Sequence, residues 1–152
     1  MIGILKFVWC LPALAIAHRQ ARVSCLLVIG RAMFEISIKG HMASAHYLPG
    51  YEGPCKNLHG HTWQVEVTIA GEQLDTIGMV ADFAVLKIRL RDFLSALDHV
   101  CLNDLASFKN VNPTTENIAR YIYQNFAGVI FPLKIRKVQV WESDSASVVY
   151  YE

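Results

Sequence analysis

Cys55-Lys56-Asn57-Leu58-His59-Gly60-His61-Thr62-Trp63-Gln64-Val65-Glu66-Val67-Thr68-Ile69 joins a thiol and two histidines to a cleanly alternating apolar run. Side chains at i and i+2 of a strand point to one face. Trp63, Val65, Val67 and Ile69 therefore share a face with His59 and His61, and a metal-type motif runs directly into the buried face of a strand. A third histidine, His46, lies thirteen positions before His59. Three neutral imidazoles suit zinc and leave a fourth position open for substrate, the feature that separates a catalytic zinc from a structural one. His46, His59 and His61 are the expected metal ligands. Cys55 is then a reagent and not a fourth ligand.

The rest of the chain supplies the partners of that strand. Phe34 to Ile38 alternates and opens an earlier strand. Pro49-Gly50 and Gly53-Pro54 mark the loop between the two. Gly71 to Gly78 is a turn-rich connection, and Asp82 is an N-cap candidate. Leu86, Leu90, Phe93, Leu94 and Leu97 follow helical spacing. Asn112-Pro113-Thr114-Thr115-Glu116 opens a second helix with the stripe Ile118, Tyr121, Ile122 and Phe126, and Gly128 is placed to cap its end. Ile135 to Glu142 and Ala146 to Tyr151 form two closing strands around the polar turn Ser143-Asp144-Ser145. The order ββααββ, with strands and helices grouped, predicts an α+β fold: a four-stranded antiparallel sheet with two helices on one face.

Composition narrows the function classes. The 152 residues suffice for one domain with a real core, and the apolar content of 53% with 18% charged residues excludes a disordered chain. The net charge of +1 is unevenly spread. Residues 1–32 hold Lys6, Arg19, Arg22 and Arg31 and no acid, leaving ten basic against thirteen acidic residues in 33–152. No basic patch of the nucleic-acid-binding kind is present. The four cysteines, Cys10, Cys25, Cys55 and Cys101, do not form a disulfide framework at this size and spacing. Residues 1–32 form a leader distinct from the domain at 33–152. Phe7 to Ala17, behind Lys6, has the pattern of a secretory signal and is too short to span a bilayer. A start placed upstream of a true Met33 explains the same stretch. The second reading is preferred, because a reactive thiol beside zinc suits a reducing cytoplasm.

Three further groups carry chemistry. Asp98-His99 ends the first helix, where a carboxylate can orient an imidazole or simply form an ordinary charged helix end. Cys55 sits among polar loop residues, where it is either inert packing or a thiol of lowered pKa. Glu142 shares the face of Val138 and Val140. A carboxylate there needs a buried arginine or a ligand with two adjacent N–H groups. Thr114, Thr115 and Glu116 are explained equally well as capping residues.

These elements together identify a resemblance. Ala45-His46-Tyr47-Leu48, Cys55-x-x-x-His59-Gly60-His61, Gly78-Met79-Val80-Ala81-Asp82-Phe83, Leu97-Asp98-His99, Leu102-Asn103, Asn112-Pro113-Thr114-x-Glu116-Asn117 and Trp141-Glu142 occur in the order found in the 6-pyruvoyl-tetrahydropterin synthase family. The resemblance covers nearly all of 33–152. Pyruvoyl-forming members typically place five residues between the cysteine and His-Gly-His. The three here are similar to the 6-carboxy-5,6,7,8-tetrahydropterin synthases of queuosine (7-deazaguanine) biosynthesis.

The resemblance implies a zinc-dependent lyase that converts 7,8-dihydroneopterin triphosphate to 6-carboxytetrahydropterin with loss of triphosphate and acetaldehyde. It implies zinc on His46, His59 and His61, Cys55 as general base, and Asp98 and His99 as proton relay. It places the pterin ring on Glu142, with Glu116, Thr114 and Thr115 along the pocket. It also implies the tunnelling fold, assembled as a homohexamer of two trimers with active sites between neighbours, in the cytoplasm, with no nucleic-acid or membrane partner. His41 departs from the pattern, standing where an aromatic residue is common, and its imidazole is either a spare polar group or a disturbance to the zinc. The alternatives are the pyruvoyl-forming synthase, a non-catalytic zinc- and pterin-binding module, and an exported zinc-binding protein.

Overall fold

The computed structural model describes residues 33–152, and the expectations attached to 1–32 lie outside the described residues. Four strands and two helices follow in the order β1 (Phe34–His46), β2 (His59–Gly71), α1 (Phe83–Leu94), α2 (Thr115–Ile130), β3 (Lys134–Ser143) and β4 (Ala146–Tyr150). The strands form one antiparallel sheet in the spatial order β1-β2-β3-β4. The expected α+β architecture and ββααββ order are what the chain adopts.

Register fixes which residues share a face. Across β1 and β2, Ile38 pairs with Val67, Met42 with Trp63, Ser44 with His61 and His46 with His59. These even positions of β1 and odd positions of β2 face the helices, where Ile38, Met42, Trp63, Val65, Val67 and Ile69 are buried. Leu86, Leu90 and Leu94 of α1 cover β1, and Ile118, Ala119, Ile122, Phe126 and Ile130 of α2 cover β3 and β4. Each large apolar side chain so buried contributes about 1.5–3 kcal/mol relative to exposure. On β3, a register shift lets both Ile135 and Val138 point inward. An extra residue on one strand reverses the inward–outward parity of the residues beyond it.

The helices begin as expected and end differently. The Asp82 carboxylate accepts from the Ala84 N–H, and the Thr114 hydroxyl accepts from the Asn117 N–H at 3.4 Å. α1 stops at Leu94, so Leu97 is buried from the irregular segment beyond the helix. Gly128 does not cap α2 but lies inside it. The helix runs on to Ile130 and stops because Pro132 forces Phe131 into an extended conformation (ψ 136°). Among the described residues no helix is long and apolar enough to cross a membrane.

Candidate metal centre

At one end of the sheet the helix-covered face runs out of apolar residues and presents histidines. His46 is the last residue of β1 and His59 the first of β2, paired directly across the ladder, and His61 lies one pleat further on. Their ring centroids form a triangle with sides of 4.5, 5.3 and 4.9 Å, and no pair is stacked face to face. Trp63 forms the floor, its ring edge-on to His46 and His61 at 5.1 Å.

Backbone carbonyls set the tautomers of His46 and His59. His46 Nδ1 donates to the Pro113 carbonyl at 2.8 Å, and His59 Nδ1 donates to the Asn57 carbonyl at 2.8 Å. A carbonyl only accepts, so both protons lie on Nδ1 and both Nε2 lone pairs are free. The Nε2 atoms of all three histidines are buried and make no hydrogen bond. Burial holds the pKa of His46 below the ordinary imidazole range. Its neighbours His59 and His61 push it the same way, against the Pro113 bond and Glu142. The neutral form that results is the one that ligates a metal.

Glu142 completes the group. One ligand atom from each of His46, His59, His61 and Glu142 lies within 4.8 Å of all the others. Glu142 Oε1 is 3.1 Å from His61 Nε2 and 3.9 Å from His46 Nε2, while Oε2 accepts from the Thr115 hydroxyl at 2.9 Å. The 3.1 Å approach lacks hydrogen-bond direction, since His61 Nε2 remains unpartnered. Four ligands around zinc with bonds of about 2.0–2.1 Å stand roughly 3.3 Å apart. Three nitrogens without hydrogen-bond partners and a carboxylate oxygen, all within 4.8 Å of one another, form a donor set that suits a divalent ion of the zinc type.

The remaining expected residues lie in β1 and α2 or in the segments that flank β1, β2 and α2. Asp98 and His99 come just after α1, with His99 in the left-handed region (φ 56°), and Asp98 Oδ2 meets His99 Nδ1 at 2.8 Å. Leaving the helix is what lets these sequence neighbours bond through their side chains. Asp98 Oδ1 accepts from the Ala43 N–H at 2.7 Å, and this bond, followed by the His99 contact, holds the Asp98 carboxyl below the usual carboxylate range. A cleft of about 570 Å³ beside His99 is lined mainly by Ala43, Ala45, Gly60 and Thr62, which alternate to the sheet face opposite the three imidazoles. Cys55 sits half-buried in a short 3-10 turn, Pro54–Lys56, as a free thiol, and its sulfur is outside the four-residue group. Thr115 is buried against Glu142, Thr114 caps α2, and Glu116 is exposed in the first turn of α2. His41 faces away from the histidines, on the other side of the sheet. There it lines a separate cleft of about 590 Å³ with Thr62, Gln64, Trp141, Ser143 and Asp144, so it does not disturb the metal geometry.

Sequence reasoning missed the locking carbonyls of Pro113 and Asn57, because every residue has a carbonyl and no residue type marks these two. It also set Glu142 apart from the metal. Its position on the face of Val138 and Val140 was the usable signal, since that face ends at the histidines.

Residues 35–152 match the family described as 6-pyruvoyl tetrahydropterin synthase. A 6-carboxy-5,6,7,8-tetrahydropterin synthase of Bacillus subtilis (strain 168) is 34% identical over 126 residues, covering 77% of this chain and 84% of the relative. The 6-pyruvoyl tetrahydrobiopterin synthase of Homo sapiens is 40% identical over 102 residues, covering 64% and 70%. The solved structure of Caenorhabditis elegans 6-pyruvoyl tetrahydropterin synthase superposes with a TM-score of 0.72 at 27% identity, over 80% of this chain and 96% of that one.

Proposed function

The chain belongs to the 6-pyruvoyl tetrahydropterin synthase family, and from that premise we propose that it is a zinc-dependent lyase converting 7,8-dihydroneopterin triphosphate to 6-carboxy-5,6,7,8-tetrahydropterin, with release of triphosphate and acetaldehyde. The observation that carries this reading is the convergence of three buried, unpartnered imidazole nitrogens beside a carboxylate. His46, His59 and His61 hold the zinc, which when bound acts as a Lewis acid and acidifies the C–H and O–H groups of the substrate side chain.

The protein's own groups do the rest. Cys55 takes a side-chain proton as general base. His99, kept in orientation by the Asp98 carboxylate, returns a proton to the substrate. Glu142 turns one oxygen toward the histidines and accepts from the Thr115 hydroxyl with the other. That favours a role at the substrate's side-chain end, accepting from its hydroxyl groups. Glu116, exposed beside Thr114 and Thr115, is the freer carboxylate for the ring's amino and N–H groups, where a charge-assisted pair is strong and directional. This assignment reverses the expectation that gave the ring to Glu142.

The carboxy-type product is favoured by the three-residue gap between Cys55 and His59 and by the 6-carboxy-type relative, which aligns over the longer stretch. The pyruvoyl-type product is the second reading, favoured by the 40% identity to the human enzyme. Incubation of the zinc-loaded protein with dihydroneopterin triphosphate, and then mass analysis, decides between them. The expected products are 6-carboxytetrahydropterin and acetaldehyde. A 6-pyruvoyl product selects the second reading, and unchanged substrate rejects both in favour of a binding module.

A further inference from the structure

Just past His46 the chain leaves the sheet, and one side chain holds it there. Asn103 Oδ1 accepts from the Tyr47 N–H at 2.9 Å, and Asn103 Nδ2 donates to the Tyr47 carbonyl at 2.9 Å. Such a two-point contact reproduces what a neighbouring strand offers. The next residue reaches the thiol loop: the Leu48 N–H donates to the carbonyl of Cys55 at 2.9 Å, and the Tyr51 N–H donates back to the Leu48 carbonyl at 3.2 Å. We propose that Asn103 is a positioning residue for Cys55, acting through the backbone of Tyr47 and Leu48. This inference rests on the lyase reading above, in which Cys55 is the base.

Asn103 is well placed for such a role because its own segment also carries the relay. The Ala43 N–H donates to Asp98, the His99 N–H donates to the Ala43 carbonyl at 2.6 Å, and the Ala45 N–H donates to the Val100 carbonyl at 2.9 Å. Residues 98–103 therefore run along the outer edge of β1, touching Ala43, Ala45 and Tyr47 in turn. Asp98 and Asn103 supply side-chain contacts at the two ends of that run. The separation between relay and thiol is set against one strand, and Asn103 is the link at the thiol end. From the other side Asn112 Nδ2 donates to the Pro49 carbonyl at 3.1 Å, steadying the loop tip. The Asn103 bonds are exposed to solvent, so losing them exchanges protein partners for water at small cost to the fold. Their effect is on placement, to which catalysis is far more sensitive than stability is.

The test uses full-length, zinc-loaded Asn103→Ala and Asn103→Asp. The aspartate keeps an acceptor for the Tyr47 N–H and loses the donor to its carbonyl. Zinc content, the alkylation rate at Cys55 measured by peptide mass spectrometry after iodoacetamide, and the separate values of kcat and KM are measured. In Asn103→Ala, zinc stays stoichiometric and the Cys55 rate changes by about threefold or more. In the same variant kcat falls by about tenfold or more with KM within about threefold, and Asn103→Asp lies between it and wild type. An unchanged Cys55 rate, or an unchanged kcat, in Asn103→Ala overturns the proposal. If that variant loses zinc or fails to fold, Asn103→Asp is judged by the same limits, and loss of zinc there too makes the residue structural and overturns the proposal. Cys55→Ala is the control for the premise. Wild-type turnover in that variant rejects the thiol's role whatever the Asn103 variants do.

Discussion

At the scale of single residues the protein spends stability on a site it cannot satisfy by itself. Each buried polar atom without a partner costs on the order of 1–3 kcal/mol, and Nε2 of His46, His59 and His61 are three such atoms in one place. A bound divalent ion relieves that cost, and a ligand that binds only the folded state raises its stability. Zinc should therefore raise Tm over chelator-treated protein, and His59→Ala should lose both the stoichiometric metal and the shift. Retained zinc in that variant rejects the ligand assignment. Asp98 gives a second residue-scale expectation. Its carboxyl is depressed by the Ala43 N–H and then by His99. A depressed folded pKa means the contribution to stability is present above the unfolded value of about 3.9 and is lost as pH falls through the folded value. Asp98 should titrate by NMR with a midpoint below that of an unperturbed aspartate, and a midpoint at or above it removes the anchoring of the relay to β1. The candidate ligands were legible in the sequence because His-x-His on an alternating strand has one geometric meaning. The acceptor bonds at Pro113 and Asn57, and the two-point hold of Asn103 on Tyr47, were not, because they depend on backbone atoms that carry no residue signature.

At the scale of elements, alternation in His61–Ile69 and the stripe through Ile118, Tyr121, Ile122 and Phe126 were enough to place a strand and a helix, since both periods report which face is buried. Ends were less legible. Gly128 looked like a cap, but Pro132 decides where α2 stops, because a proline constrains the residue before it. The link from β2 to α1 shows glycine acting in two different ways. At Gly71 a Cβ would lie 2.4 Å from Cγ1 of Val80 and 3.1 Å from its Cγ2, so the constraint is close approach of a stiff, branched side chain. At Gly78 nothing lies within 4 Å, but φ is +88° and the Asp75 carboxylate accepts from the N–H groups of Ile77 and Met79 on either side. Gly71→Ala should lower unfolding stability by about 1–3 kcal/mol through overpacking. Gly78→Ala should cost roughly 1–2 kcal/mol through left-handed strain alone. Urea denaturation measures both. A further substitution that shortens Val80 should restore stability to the first variant and not to the second, and rescue of both would refute the distinction.

At the scale of the whole molecule, the sheet order leaves β1 and β4 as edges. Residues 98–103 cover β1 from Ala43 to Tyr47, and among the described residues nothing pairs with its outer side before Ala43. Open edges invite pairing with another chain. The groups proposed as catalytic give a second reason for assembly. The histidine cluster has buried ligand atoms, but the side chain of His99 is 81% exposed. An imidazole standing in bulk water exchanges protons with solvent and does not direct them to a substrate, whereas a surface that excludes water strengthens each electrostatic contact inside it. A second copy docked along the edge would enclose His99. This accords with the hexamer that the family resemblance implies. Light scattering should therefore give a native mass near six times that of the purified chain. Dilution past the point of dissociation should abolish turnover per chain while zinc stays bound, because His46, His59 and His61 all belong to one protomer. A monomer at every concentration with full turnover would show that the exposed relay works unaided, and the argument from exposure to assembly would fail.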